Sequence, residues 1–302
     1  MDGPSDRELR YFVAVAEELN FTRAAERLGM AQPPLSRAIR QLERRLGADL
    51  FVRDGRQVQL TDFGAGLVEE ARHALDVLDS LGRRARRAAR PSPTVVVTAK
   101  PGHPTELLRQ IADSYAGRPG ALPVEFLVSG YRAQADLVRE GRADLALLSS
   151  PFELGGLDFE PLTSQPRVAA VPAGHPLARR TALRCRDLAG EPVPRWPDES
   201  VAERSYWTGR DGDGGANEDP PGGPRVSDPS QLLEVIGLGQ AVALIPATLA
   251  ERNPRPDIAY RPVVDASPYR ITIAWSAGSR SRPIADLVRI ATSRFGELSK
   301  LG

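Results

Sequence analysis

The feature that most restricts the fold is the stretch FTRAAERLGMAQPPLSRAIRQLERRLG, Phe21 to Gly47, in which Pro33 and Pro34 stand together between two short helical patterns. Proline has no N–H to donate and a φ preset near the helical value, so it suits the first turn of a helix and breaks one further in. The pair therefore opens a second helix. For the first helix the expected cap is Thr22, its hydroxyl accepting an N–H of the next turn, with Ala24, Ala25 and Leu28 as a small apolar inner face and Gly29 as the stop. Upstream, Leu9, Phe12, Val13 and Ala16 recur at helical spacing from Asp6, which predicts a preceding amphipathic helix. In the second helix Leu35, Ile39 and Leu42 share one face, and Ser36, Arg37, Arg40 and Arg44 lie largely elsewhere. This is the layout of a helix-turn-helix whose second helix offers its N-terminal residues to base edges in a major groove.

Charge agrees with a local rather than a global polyanion surface. The chain of 302 residues has a formal net charge of +1, which excludes a uniformly basic binder. Between Asn20 and Leu60, however, eight arginines face four acids, Glu26, Glu43, Asp49 and Asp54. Next comes LFVRDGRQVQLT, two short extended runs joined at Asp54-Gly55, a pair favoured in two-residue hairpin turns. It reads as a wing, with Arg53 and Arg56 flanking the tip and able to reach phosphate or the minor groove. A solvated charged hairpin is the plainer reading of either arginine alone.

The segment LRYFVAVAEELNFTRAAERLGMAQPPLSRAIRQLERRLGADLFVR, continued by VQLTDFG, resembles the DNA-binding domain of LysR-type transcriptional regulators. The resemblance implies that Gln32, Pro33, Pro34, Ser36 and Arg37 face bases, with Arg53 at the wing. AQPPLSR is similar to the branch that regulates aromatic-compound catabolism. The resemblance also implies a partner in double-stranded DNA, at an interrupted inverted repeat in promoters, together with RNA polymerase.

Thr61 to Ala89 contains no proline, and Leu67, Ala71, Ala74, Leu78, Leu81, Ala85 and Ala88 alternate spacings of four and three. That predicts a heptad seam on a helix of roughly 40 Å, suited to dimerisation. An amphipathic helix packed on its own domain is the alternative, since alanines make the seam thin. Arginines and then Pro91 and Pro93 end the helix.

Beyond Pro93, apolar runs alternate with helical patterns: TVVVTA, a helix from Pro104 to Tyr115, PVEFLVS, a helix from Arg132 to Glu140, and ADLALLS. This β-α-β alternation predicts a mostly parallel sheet with ligands at the carboxyl ends of its strands. RVAAVPA, PVPRW, a helix from Ser230 to Leu238 and AVALIPA make a second set, and RITIAWS with a helix from Ile284 to Phe295 returns to the first lobe. VREGRADLALLSSP, VPAGHPLARR and LLEVIGLGQAVALIPAT resemble the LysR effector domain, which has the fold of periplasmic solute-binding proteins. The expected fold is thus multidomain α and α/β. A winged helix-turn-helix spans 1–60, a linker and dimerisation helix 61–90, and a two-lobed effector domain 94–302. Lobe I takes about 94–163 and 269–302, and lobe II about 164–268. TGRDGDGGANEDPPGGPRV departs from the family, which has a helix there; its glycine, proline and acid content predicts a flexible loop over 208–225. DGDGG is spaced like a calcium loop, but Gly215 stands where a third ligand belongs and Ala216 where the turn glycine belongs.

Strand-end loops nominate an effector site: Lys100, Gly102 and His103, then Ser129 and Tyr131, then Ser149 in lobe I, and Arg195, Trp196, Ser227 and Asp228 in lobe II. Small hydroxyl residues at helix N-termini suit an anion such as a carboxylate. Lys100 and Lys300 are the only lysines, a bias that a GC-rich genome also explains, so Lys100 reads either as a retained compact charge or as an ordinary surface lysine. Trp196 and Tyr131 can stack on a flat ligand or pack in the cleft wall.

No cofactor and no metal are expected, because Cys185 stands alone and His73, His103 and His175 are scattered. The sequence contains neither an apolar run of membrane length nor a secretory leader pattern at MDGPSDRELR, which makes the cytoplasm the expected compartment. No G-x-S-x-G elbow supports an enzyme. The expectation is a regulator acting as a homodimer or homotetramer under a small-molecule effector, against a constitutive repressor or architectural protein whose sensor is insensitive to ligand.

Overall fold

The structure is a computed structural model that describes residues 3–54, 57–89, 91–101, 105–212 and 220–296, with the side chains at 53, 54, 57, 88, 105 and 106 excepted. The chain divides into two units, Met1–Arg90 with Arg139–Gly141, and Pro91–Val138 with Arg142–Gly302. No helix among the described residues is long and apolar enough to cross a membrane.

The first unit begins with α1 (Asp6–Glu18), α2 (Phe21–Arg27) and α3 (Gln32–Leu46). Phe12, Val15, Ala24, Leu35, Ile39 and Leu42 meet in one core, where burying each large side chain contributes about 1.5–3 kcal/mol. Phe51 lies edge-on to both Phe12 and Phe21, at 5.7 and 5.9 Å between ring centroids. The prolines do open α3, as their chemistry requires. The cap of α2 is Asn20 rather than Thr22: the Asn20 carbonyl accepts from the Thr22 and Arg23 N–H groups at 2.9 and 3.1 Å. An amide oxygen two residues earlier reaches those N–H groups, and Thr22 itself stands exposed inside the first turn.

β1 (Phe51–Asp54) and β2 (Gln57–Leu60) pair antiparallel with Asp54 opposite Gln57. Asp54 therefore belongs to the strand, and Gly55 and Arg56, on which the rest of the expected turn falls, lie outside the described residues. Buried Glu43 anchors the hairpin base to α3 by accepting from the Leu50 and Phe51 N–H groups at 3.1 and 3.3 Å. Gly64 is required where the next helix, α4 (Asp62–Ala88), passes β1, because a Cβ there would meet the Leu50 carbonyl oxygen at 2.2 Å.

α4 runs 27 residues, about 40 Å at 1.5 Å per residue. Its seam is only partly outward. Ala71 is buried in the core of its own unit with Val68 and Leu75, and Leu67 and Ala74 pack against that core. α1 packs on this face, so Ala71 is taken up by its own unit and Leu67 and Ala74 are half-buried; Leu78 and Leu81 remain exposed beside Val77.

The second unit opens with β3 (Val95–Ala99), α5 (Thr105–Ala116), β4 (Val124–Val128), α6 (Ala133–Arg139), β5 (Leu145–Ser149) and β6 (Leu157–Gln165). Next come β7 (Arg167–Pro172), β8 (Val193–Arg195), α7 (Val201–Trp207), β9 (Gly222–Arg225), α8 (Pro229–Gly237), β10 (Ala243–Pro246), α9 (Ala247–Arg252) and β11 (Ile258–Pro262). β12 (Tyr269–Ser276) and α10 (Arg282–Phe295) close the unit. The larger sheet has the order β4-β3-β5-β12-β6. β3 is parallel to β4 and β5, and its five residues are buried throughout, as a strand covered on both faces requires.

β12 returns antiparallel between β5 and β6. The smaller sheet, β10-β7-β11, is wholly antiparallel, so the expectation of parallel sheets holds only for β3, β4 and β5 and for the pair β8-β9. β6, β9, β11, α7 and α9 have no counterpart in the sequence reading. Thr208–Gly212 extends α7 by no further turn, and residues 213–219 of that loop lie outside the described residues.

Candidate DNA interface and ligand cavity

On α3, Arg37, Arg40, Gln41 and Arg44 follow one another at spacings of three and one along one face, and they line a shallow depression beside Asp49. Arg23, Arg27 and Arg45 are ion-paired to Glu18, Glu17 and Glu8 within the unit. Among the described residues, Arg37, Arg40 and Arg44 have no carboxylate partner, so their charge is directed outward. Gln32 and Pro33 are exposed at the start of α3 and Pro34 is half-buried, but Ser36 is buried against the unit. Arg53 lies on β1, its side chain outside what is described, and Arg56 lies outside the described residues.

Glu8 holds the tail of α3 to α1. Burial opposes its ionisation, but hydrogen bonds from Arg45 and Ser5 outweigh burial and bring the carboxyl down to about 2.

A cavity of about 550 Å³ lies in the second unit between the two sheets' loops. Lys100 leaves the carboxyl end of β3, Tyr131 follows β4, Trp196 follows β8, and Ser227 and Asp228 precede α8; all five line it. Tyr131 and Trp196 are stacked on each other at 4.5 Å and 23°, so no ring fits between them. Trp207 donates its indole N–H to the Tyr131 hydroxyl at 3.2 Å, and burial pushes that phenol above its ordinary range. The Lys100 ammonium stands 5.5 Å from the Tyr131 ring and 5.3 Å from the Tyr269 ring. Among the described residues no carboxylate pairs with it, and two aromatic faces are its company.

Three nominated residues do not line the cavity. Ser129 is tied down by Thr98 at 2.9 Å and Gln134 at 2.7 Å. Ser149 is registered against Ile271 inside the sheet, and Arg195 is exposed at the end of β8, where it pairs in register with Arg225. Gly102 and His103 lie outside the described residues. Asp228 reaches the wall, but its carboxylate caps α8 by accepting from the Ser230 and Gln231 N–H groups. The sequence reading missed Trp207, Tyr269 and the apolar wall of Leu232, Leu233, Ile245 and Leu249.

A clasp joins the loop after β4 to the segment between β8 and α7. The Arg132 guanidinium donates to the Pro197 and Asp198 carbonyls at 2.6 and 2.7 Å and pairs with Glu203 at 2.7 Å. Arg132 and Asp198 both have left-handed backbones, φ 69° and 49°, a strain that the clasp holds in place. At the β6–β7 crossing, fully buried Arg167 donates to the Ser267 carbonyl and hydroxyl, to the Tyr206 carbonyl and to Asp211, and lies 3.8 Å above the Tyr206 ring. Burial and the Asp265 carboxylate push the Cys185 thiol up to about 12, which leaves it protonated and unreactive at neutral pH. Among the described residues no group of three or more His, Cys, Asp or Glu side chains is placed to hold a metal ion.

Residues 7–65 match the model for a bacterial regulatory helix-turn-helix protein of the lysR family, and residues 88–296 match the LysR substrate binding domain. The chain is similar to the Hca operon transcriptional activator HcaR of Escherichia coli (strain K12), 28% identical over 97% of this chain and 99% of the relative. It is also similar to the HTH-type transcriptional regulator BudR of Raoultella terrigena, 30% identical over 92% of this chain and 97% of the relative. Among solved structures, full-length BenM superposes at a TM-score of 0.53 with 27% identity, covering 98% of each chain. CbnR, at a TM-score of 0.56 and 24% identity over 96% of this chain and 99% of that one, shares the fold.

Proposed function

Because this chain belongs to the LysR family of bacterial transcriptional regulators, we propose that its DNA affinity is set by a small carboxylate bound in the cavity of the second unit. The observation that carries the reading is Lys100: a cation held over Tyr131 and Tyr269, without a carboxylate partner among the described residues, in the wall of a cavity that Tyr131, Trp196, Trp207 and Tyr269 also line. A ligand carboxylate there supplies the counter-charge that the protein does not. On the DNA side, Gln32, Pro33, Arg37 and Arg40 meet bases, and Arg44 with the wing arginines Arg53 and Arg56 meets phosphate. Two chains pair through the exposed half of α4 at Leu78 and Leu81, as a homodimer or a homotetramer, on an interrupted inverted repeat where RNA polymerase also binds.

The test is a footprint of the purified protein on the intergenic DNA beside its own gene, repeated with a panel of aromatic and aliphatic carboxylates. A protected inverted repeat whose boundary moves with one carboxylate is the expected result. Protection that every carboxylate leaves unchanged would remove the effector from the reading and leave the DNA-binding regulator.

A further inference from the structure

The loop after β4 and the segment before α7 are built into different parts of the second unit. Gln134, buried on α6, donates to the Ser129 hydroxyl at 2.7 Å and the Gly130 carbonyl at 2.6 Å, and the Thr98 hydroxyl on β3 meets that of Ser129 at 2.9 Å. The loop therefore belongs with the larger sheet. On the other side, Val193 of β8 packs with Ala169 and Val171 of β7 and Leu244 of β10 in the core of the smaller sheet. Buried Arg204 of α7 donates to the Val193 and Pro194 carbonyls at 3.3 and 3.0 Å, which makes β8 and α7 one piece. The two pieces meet where Tyr131 stacks on Trp196 and where the Arg132 guanidinium reaches the Pro197 and Asp198 carbonyls and Glu203. At its C-terminal end α7 packs Tyr206 and Trp207 on Tyr269 and Ile271, where the chain crosses into β12. A seven-residue helix spans about 10 Å at 1.5 Å per residue. When one sheet turns against the other about that crossing, the clasped end of α7 travels and the end at Tyr269 stays.

The clasp sets strong bonds against strain. Arg132 makes charge-assisted hydrogen bonds, yet its side chain is 27% exposed, so water takes over the donors once they let go. Among the described residues its Nε is buried without an acceptor, and one oxygen of Glu199, whose carboxylate interacts with Arg132 through charge, is buried without a donor. Arg132 and Asp198 hold φ at 69° and 49°, a region that residues with a Cβ rarely adopt, and release relaxes both. Such a contact has two states rather than one. We propose that Arg132 is a latch: it holds the piece built on the larger sheet to the piece built on the smaller one, and its release lets α7 swing about the crossing at Tyr269. Tyr131, Trp196 and Trp207 line the cavity, so the latch sets the position of that wall. The inference goes beyond the function proposed above and does not depend on which ligand the cavity takes, because every contact of the latch is between groups of this chain.

The experiment is amide hydrogen exchange, read by mass spectrometry, on the full chain and on its Arg132→Gln and Arg132→Lys variants. In Arg132→Gln, exchange over 129–133 and 198–204 is expected to speed by about tenfold, the low end for loss of a hydrogen bond to a charged group, while β3, β5, β7 and β10 keep their rates. Arg132→Lys keeps the charge without the planar fork that spans two carbonyls, so its rates should fall between. If Arg132→Gln does not fold, the same comparison is read from Arg132→Lys. Rates equal to those of the unaltered chain in both segments would overturn the latch. Faster exchange spread evenly through β3, β5, β7 and β10 would make Arg132 a support of the whole unit and overturn it too. A change over 198–204 with none over 129–133 would show that the two pieces are not held by this contact.

Discussion

Single residues divide into those whose charge the protein satisfies and those it does not. Arg23, Arg27 and Arg45 are paired inside the first unit, whereas Arg37 faces outward on α3. Arg37→Ala is expected to cost about 1–3 kcal/mol on the specific site and to relax discrimination at one base position; equal losses on specific and random DNA would show a phosphate contact instead. Glu8 is the residue with a pH signature. Its carboxyl titrates at about 2 in the fold against 4.5 in the unfolded chain, so the stabilisation is present above pH 4.5 and lost as pH falls toward 2. NMR of the Glu8 carboxyl carbon should find that low value and should see it rise toward 4.5 in Arg45→Ala. The outward arginines were legible because helical spacing alone sets their face. The Asn20 cap was not, since Asn20 and Thr22 are both good capping types and only the backbone turn decides between them. Ser36 shows the same limit: it borders Leu35 and Ile39 on the helix, and whether it faces out depends on how α3 rolls against its core.

Among the elements, α4 is the one whose surface serves two purposes. Its first half completes the core of its own unit through Val68, Ala71 and Leu75, and its second half exposes Val77, Leu78 and Leu81. Leu78→Asp is expected to shift the chain toward monomer in sedimentation with the unit still folded, whereas Ala71→Asp should unfold the unit, because it buries an unpaired carboxylate. A dimer unaffected by Leu78→Asp would place the interface elsewhere. A heptad pattern cannot separate these two halves, because a helix packed on its own domain and a helix packed on a partner need the same spacing. β3, β4 and β5 were legible for a simpler reason: continuous apolar runs separated by amphipathic helices have few other solutions. β6, β9 and β11 carry mixed polar and apolar residues with prolines, and they become strands only through non-local pairing.

At the scale of the whole molecule, the second unit carries two sheets that the chain joins twice. The chain crosses between the sheets at Pro166 and again before Tyr269, Arg167 ties the first crossing to Ser267 and Tyr206, and the Arg132 clasp joins the loop after β4 to the segment before α7. The two crossings were legible in sequence, where RITIAWS already returns to the first lobe; the Arg167 and Arg132 contacts were not, because nothing in the spacing of Arg132, Glu203 and Asp211 marks them until tertiary contacts bring them to their partners. In the proposed function effector and DNA are coupled through one protein, and such coupling is reciprocal. Its most direct measurement is the dissociation constant of the footprint-shifting carboxylate on the free chain and on the chain bound to its own promoter site. The two constants are expected to differ by about 5–150-fold, with the same factor appearing in the DNA affinity when the carboxylate is added. Equal constants would contradict it, since a ligand that binds both states alike shifts neither.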